Sequence, residues 1–281
     1  MAAEFFSRHQ ERDALLPAKR QQLLEKCMED LTADKNVLAV YLSGSLAKKT
    51  HDQYSDIDLH IIVKAGRKAE FILNKKTRSE RWGEVLFHEG INPVAPYIVS
   101  HYSCFVKIDS WYHAPDEIKP SHWLQKAQIL YDPDDILKEI LAASAHKIYQ
   151  VSIEEVEMWK GKVLAFAHET YRAAMRNESY YAAANLDRLL RYIVSGWFME
   201  MEQHFDGAFS SWSKVEGGRS DLNERELALL SQWQSGRNTE DIMAVLEQTV
   251  PEILRLNGVL SQKVGIEENR ELMDRILRMA Y

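Results

Sequence analysis

The amino-acid sequence predicts an α+β protein, with a mixed β-sheet and flanking helices in its N-terminal half and an α-helical bundle in its C-terminal half. Short apolar runs with the composition of β-strands lie before residue 132. Beyond that point apolar side chains recur at helical spacing. Six of the seven prolines lie between residues 17 and 133. At 281 residues the chain suits one large or two ordinary domains, and we place a boundary between 1–148 and 149–281.

The N-terminal half begins with a predicted helix and continues with strands. Leucines at helical spacing predict the helix over 1–34, with Pro17 near a helix start. The runs that predict strands are rich in Val, Ile, Tyr and Phe, and they cover 37–43, 57–63, 84–88 and 97–111. Residues 67–82 have a helical pattern.

The C-terminal half is predicted to be helical almost throughout. It is introduced by a helix start at 131–135, where Asp132 can cap the helix and Pro133 suits its first position. The further predicted helices cover 153–175, 180–205, 222–233, 239–263 and 267–281. The loop 206–220 is either a flap over a bound molecule or a plain surface loop.

Composition excludes several classes of protein. Asp and Glu number 42 against 35 Lys and Arg, a formal net charge of −7, which argues against a broad basic surface for nucleic acid. Two cysteines are too few for a disulfide framework. No apolar run approaches the roughly 20 residues that cross a bilayer, and no signal peptide is visible. We therefore expect a cytoplasmic protein without a membrane partner.

A turn after the first predicted strand has the features of a phosphate site. The strand 37–43 ends in Ser43-Gly44-Ser45. Glycine lets the backbone approach a ligand closely, and free N–H groups at a helix start attract anions. The Ser45 hydroxyl adds a donor.

Paired carboxylates follow after a spacer of ten residues, 46–55. Asp56 and Asp58 are two residues apart at the start of the strand 57–63, so both side chains point to the same face. Hard oxygen ligands of this kind suit Mg²⁺, which commonly binds one or two carboxylates together with substrate phosphates. Asp109, at the end of an alternating strand, is the best candidate for a third carboxylate. In that position it would help to bind a metal ion and accept the proton of an acceptor hydroxyl. The alternative reading is a set of ordinary surface carboxylates, with Asp109 as a turn residue.

The combination resembles a known superfamily. Gly44-Ser45, a spacer over 46–55 and Asp56-Ile57-Asp58-Leu59 are similar to the nucleotidyltransferase superfamily of DNA polymerase β type. The helical second half and the run 129–133 resemble its aminoglycoside and lincosamide nucleotidyltransferase branch. The resemblance implies a nucleotidyltransferase domain over 1–148 and a helical acceptor-binding domain over 149–281.

The resemblance also implies roles for individual residues. Gly44 and Ser45 would hold the triphosphate, and Asp56, Asp58 and Asp109 would bind one or two Mg²⁺ ions. Some relatives use a lysine early in the helical bundle on the triphosphate, and Lys162 is the candidate here. Glu169 or Asp187 would bind a cationic acceptor or act as a base, although solvated helix faces and internal ion pairs explain each of them better.

The resemblance implies a Mg²⁺-dependent adenylyltransferase, which moves AMP from ATP to a hydroxyl of a small, aminoglycoside-like or lincosamide-like acceptor and releases pyrophosphate. Antibiotic resistance is a role that such an activity would allow. Two alternatives remain: a nucleotidyltransferase that modifies a protein or RNA, and a non-catalytic nucleotide-binding descendant.

Overall fold

The computed structural model describes residues 8–90, 92–205 and 212–281, so residues 206–211 of the predicted 206–220 loop lie outside the described residues. The chain divides into two compact units, Met1–Ile148 and Tyr149–Tyr281. Within the described ranges, no helix combines the length and the apolar character that a membrane crossing needs.

The first unit is built on one mixed β-sheet, as predicted. Its elements are α1 (Gln10–Thr32), β1 (Val37–Leu42), α2 (Gly44–Lys48), β2 (Ile57–Val63), α3 (Lys68–Leu73), α4 (Lys75–Ser79), β3 (Val85–Glu89), β4 (Tyr97–Tyr102), β5 (Lys107–His113), β6 (Gln128–Tyr131) and α5 (Ile136–Ala145). The strand order is β3-β4-β5-β2-β1-β6. Strands β2 and β5 are parallel, and the other neighbours are antiparallel.

One face of the sheet packs against α1. In β2, Ile57, Leu59 and Ile61 are fully buried on this face, because alternate residues of a strand point the same way. Leu23 and Leu31 of α1 belong to the same core. Burial of this apolar face is what holds the first unit together.

The opposite face of the sheet is covered only in part. Helix α5 packs there through Leu137 against Tyr41 and Ile62. Asp58 and His60 point to this face and are half-buried. The polar residues of β2 therefore lie beside a small second core rather than inside the main one.

Four local predictions differ from the structure. The predicted strand run 97–111 is two antiparallel strands, β4 and β5, because a tight turn over 103–106 reverses the chain, and Asp109 therefore lies inside β5 and not at a strand end. Helix α1 begins at Gln10, so Pro17 lies inside it, where a proline removes one backbone hydrogen bond of the helix. The predicted helix 67–82 is broken at Asn74, and the buried Lys75 donates from its Nζ to two loop carbonyls, at 2.6 and 2.7 Å. Asp132 does cap α5, by accepting from two N–H groups at 2.8 and 2.9 Å, but the helix begins at Ile136.

The second unit is a helical bundle, as predicted. Its helices are α6 (Ile153–Met175), α7 (Ser179–Glu200), α8 (Glu224–Gln232), α9 (Thr239–Val264) and α10 (Arg270–Leu277). The Ser152 side chain accepts from the Glu155 N–H and the Glu155 side chain from the Ser152 N–H, a capping box that explains the start of α6. Trp159 and Trp197 are fully buried in the core of the bundle.

Candidate functional site

The turn between β1 and α2 is shaped around Asp58. Gly44 adopts φ +63°, and a Cβ atom added there would overlap the Asp58 carboxylate. The N–H of Ser43 donates to the backbone carbonyl of Asp58 at 3.0 Å. Only glycine therefore allows the turn and this carboxylate to lie so close together.

The three predicted carboxylates lie together. The parallel register of β2 and β5 pairs Asp58 with Asp109 directly, and Asp56 precedes β2 by one residue. One oxygen from each carboxylate lies within 4.8 Å of the other two. Asp58 and Asp109 are 51 positions apart along the chain, so it is the pairing of β2 with β5 that brings them together.

Lys107 bridges this cluster. Its Nζ lies 2.8 Å from Asp56 Oδ2 and 3.2 Å from Asp109 Oδ2. Burial favours the neutral amine, but the hydrogen bond to Asp56 and the charge of Asp109 outweigh this and raise the pKa of Lys107 above its usual value. Burial also raises the pKa of Asp109, against the opposing effect of Lys107. The ammonium is thus the counter-charge of the cluster.

One oxygen of the cluster lacks a partner. Within the part of the chain that the structure describes, Asp109 Oδ1 is buried and has no hydrogen bond. A buried, unpaired carboxylate oxygen is costly unless a cation or a donor reaches it. Together with the three converging carboxylates, this oxygen fits a hard divalent cation such as Mg²⁺.

Arg20 supports the loop before Asp56, and sequence reasoning missed it. This α1 side chain is buried, and its Nη1 donates to the carbonyls of Ser55 at 2.8 Å and Asp52 at 3.0 Å. The guanidinium holds the backbone just before Asp56 in place. The signal that would have revealed it is an arginine on the apolar face of a helix, between Leu16 and Leu23.

His60 links the turn to His113 of β5, whereas the sequence alone indicated only a surface residue or a support for the ligand residues. Its ring nitrogens lie 2.9 Å from Ser43 Oγ and 3.0 Å from His113 Nε2. Burial, with a smaller effect of His113, lowers the pKa of His60 to about 3. A neutral imidazole therefore holds Ser43 at the start of the turn.

Residues 22–130 match the family described as "Nucleotidyltransferase domain". This segment contains the turn, the three carboxylates and the strands around them. Residues 22–130 are thus similar to a nucleotidyltransferase domain. The match covers the predicted turn and all three predicted carboxylates, but not Lys162, Glu169 or Asp187. A search of curated protein sequences finds no significant match to this chain.

The chain is similar to several solved structures. An aminoglycoside 6-adenyltransferase from Bacillus subtilis is 13% identical, with 93% of this chain and 97% of that chain covered and a TM-score of 0.41. A nucleotidyltransferase-like protein from Exiguobacterium sibiricum is 11% identical, with 86% and 77% covered and a TM-score of 0.41. A STING-associated c-di-GMP synthase from Capnocytophaga granulosa is 14% identical, with 96% and 79% covered and a TM-score of 0.28. Likenesses at this level do not indicate a shared activity.

The remaining predicted residues lie in the helical unit, outside the nucleotidyltransferase domain. Lys162 is exposed on α6, and its contact with a triphosphate stays a prediction. Glu169 pairs with Arg172 on the same helix. Asp187 accepts from Trp212 Nε1 at 2.7 Å and pairs with Arg191 at 2.9 Å. Both carboxylates thus have partners of their own within the bundle.

Proposed function

We propose that this protein is a divalent-metal-dependent nucleotidyltransferase that moves AMP from ATP to a hydroxyl of a small acceptor and releases pyrophosphate. The observation that carries the proposal is the cluster of Asp56, Asp58 and Asp109 beside the Gly44 turn. Because this cluster contains a buried carboxylate oxygen without a partner, it favours a catalytic site over the alternative of a non-catalytic nucleotide-binding descendant. ATP, Mg²⁺ and an aminoglycoside-like acceptor are the substrates and ion that the resemblance favours.

Each group of the candidate site has a role in the proposed transfer of AMP. Mg²⁺ bound by the carboxylates would polarise the α-phosphate and neutralise charge that develops on the leaving group. Gly44 and Ser45 would hold the triphosphate next to Asp58. A bond forms between the acceptor oxygen and the α-phosphorus, while the bond to the pyrophosphate oxygen breaks. Asp109 either binds the ion or accepts the hydroxyl proton.

Catalysis in such a site consists mainly of positioning. Arg20 holds the loop before Asp56, and His60 holds Ser43 at the turn. Both contacts reduce the freedom of the groups that would meet the nucleotide, and fixed geometry lowers the barrier to an in-line displacement. The helical unit, with Lys162, would supply further contacts to the triphosphate and the acceptor.

The test is the substitution Asp58→Asn, assayed by transfer of label from α-³²P-ATP to a panel of amino-sugar and lincosamide acceptors with Mg²⁺ or Mn²⁺. We expect at least about a 100-fold loss of transfer with the fold intact by circular dichroism, because the amide keeps the shape but not the charge. Asp116→Asn, at an exposed carboxylate of the same unit, is the matched control. Undiminished transfer by Asp58→Asn would overturn the proposal.

A further inference from the structure

The ammonium of Lys107 lies between two of the three carboxylates of the cluster. Its Nζ is 2.8 Å from Asp56 Oδ2 and 3.2 Å from Asp109 Oδ2. Asp56 lies just before β2 and Asp109 lies in β5, so the ammonium joins the two segments at the cluster. A metal ion that bridged these two carboxylates would need the space that the ammonium fills.

The sheet keeps Lys107 at this place. Lys107 and Asp109 are two residues apart on β5, and alternate residues of a strand share a face. The parallel register pairs Asp109 with Asp58, and the antiparallel register places Lys107 opposite His101 of β4. The Lys107 side chain is 30% exposed, about as much as that of Asp56 at 34%. The lysine is therefore part of the cluster rather than a solvated side chain at its edge.

Charge limits the number of further cations that the cluster can hold. Three ionised carboxylates carry a charge of −3, and the ammonium reduces this to −2, which one divalent ion balances. Sites that bind two divalent ions place them about 3.5–4 Å apart, between shared ligands. A second ion of that kind would lie next to the ammonium and be repelled by it. A cluster that contains Lys107 is therefore matched to one ion.

The two oxygens of Asp109 have different surroundings. Oδ2 contacts Lys107, whereas Oδ1 is buried and has no hydrogen bond within the ranges that the structure describes. Asp58 lies on the side of the Gly44 turn, since a Cβ atom on Gly44 would overlap its carboxylate. An ion at Asp109 Oδ1 would thus leave the other oxygen of the same carboxylate to Lys107.

We propose that Lys107 takes the place of a second metal ion, so that this site works with one divalent ion. Lys107 is then a positioning residue, which offsets the repulsion between Asp56 and Asp109 and holds both carboxylates around the ion. Lys107 keeps its proton throughout, and the bonds that form and break are those of the proposed transfer. The inference rests on the proposed nucleotidyltransferase function and names the number of ions that this function uses.

The test counts Mn²⁺ ions in the full chain by electron paramagnetic resonance, with two equivalents of Mn²⁺ and one of α,β-methylene-ATP. The unsubstituted protein should bind one ion and leave the second equivalent free, with the sharp six-line spectrum of Mn²⁺ in water. The neutral variants Lys107→Met and Lys107→Gln should bind both equivalents, because the ammonium no longer fills the second position. Two ions about 3.5–4 Å apart should give the broadened spectrum of a spin-coupled pair.

Two controls test whether the charge at this position is the cause. Lys107→Arg keeps the positive charge and should keep one bound ion. Lys35→Met removes an exposed lysine of the same unit and should also keep one bound ion. Circular dichroism would check the fold of each variant, and Lys107→Gln serves if Lys107→Met does not fold.

Binding of the analogue separates this inference from the proposed function. If calorimetry shows that the unsubstituted protein does not bind α,β-methylene-ATP, the proposed function fails, and the Mn²⁺ count without the analogue still decides the role of Lys107. A spin-coupled pair in the unsubstituted protein, or no bound Mn²⁺ at all, would overturn the inference. A single bound ion in a folded neutral variant, or two bound ions in either control, would overturn it as well.

Discussion

Gly44→Ala separates the two reasons for a glycine at the turn. Gly44 adopts φ +63°, a left-handed conformation that costs a residue with a Cβ atom about 1 kcal/mol. The added methyl group would also overlap Asp58 Oδ2. The Asp58 carboxylate belongs, with those of Asp56 and Asp109, to the cluster that could hold a metal ion. The backbone strain affects stability, and the overlap affects the site.

The expected magnitudes follow from this geometry. Strain of about 1 kcal/mol lowers the melting temperature of a unit of this size by about 2–4 °C. Relief of the overlap requires the Asp58 carboxylate to move out of the cluster. Loss of groups that only orient a metal ligand already costs 10–100-fold in affinity, so displacement of a ligand should weaken Mn²⁺ binding by at least about 100-fold.

Gly265→Ala is the matched control. Gly265 has φ +71°, and nothing lies within 4 Å of a Cβ atom placed there. The variant Gly265→Ala should therefore lower stability through backbone strain and leave Mn²⁺ affinity unchanged. Calorimetry would measure stability, and electron paramagnetic resonance would measure Mn²⁺ affinity. Unchanged Mn²⁺ affinity in Gly44→Ala would refute the reasoning.

Two further predictions concern charged groups. Lys107→Met should tighten Mn²⁺ binding by about tenfold, because the ammonium that competes for Asp56 and Asp109 is gone; weaker binding in the same resonance assay would contradict this. Glu252 is 4% exposed; burial opposes its ionisation, but hydrogen bonds from Arg225, Arg255 and Trp197 lower its pKa from 4.5 to about 2. Its contribution to stability, on the order of 3 kcal/mol, is present above about pH 4.5 and is lost as the pH falls towards 2. In urea unfolding, Glu252→Gln should flatten this part of the pH profile, and an unchanged profile would contradict the assignment.

Local patterns were enough to predict many elements. Strand β2 and helix α6 have the predicted bounds, because the apolar run of 57–63 and the helical spacing of 153–175 depend only on neighbouring residues. Helix 67–82 was wrong as a single helix, because its break depends on Lys75 reaching carbonyls of Asn92 and Ala95, about twenty positions away. Periodicity contains no information about such partners.

The sequence by itself determined the residue types of the candidate site: a glycine turn, the carboxylate pair at 56 and 58, and a third carboxylate on a later strand. Tertiary structure alone decided which groups surround them. The pairing of Asp58 with Asp109, the bridge from Lys107 and the support from Arg20 all depend on strand order, parallel direction and helix packing. These relations are set by burial of apolar faces between distant segments, and no local spacing in the chain encodes them.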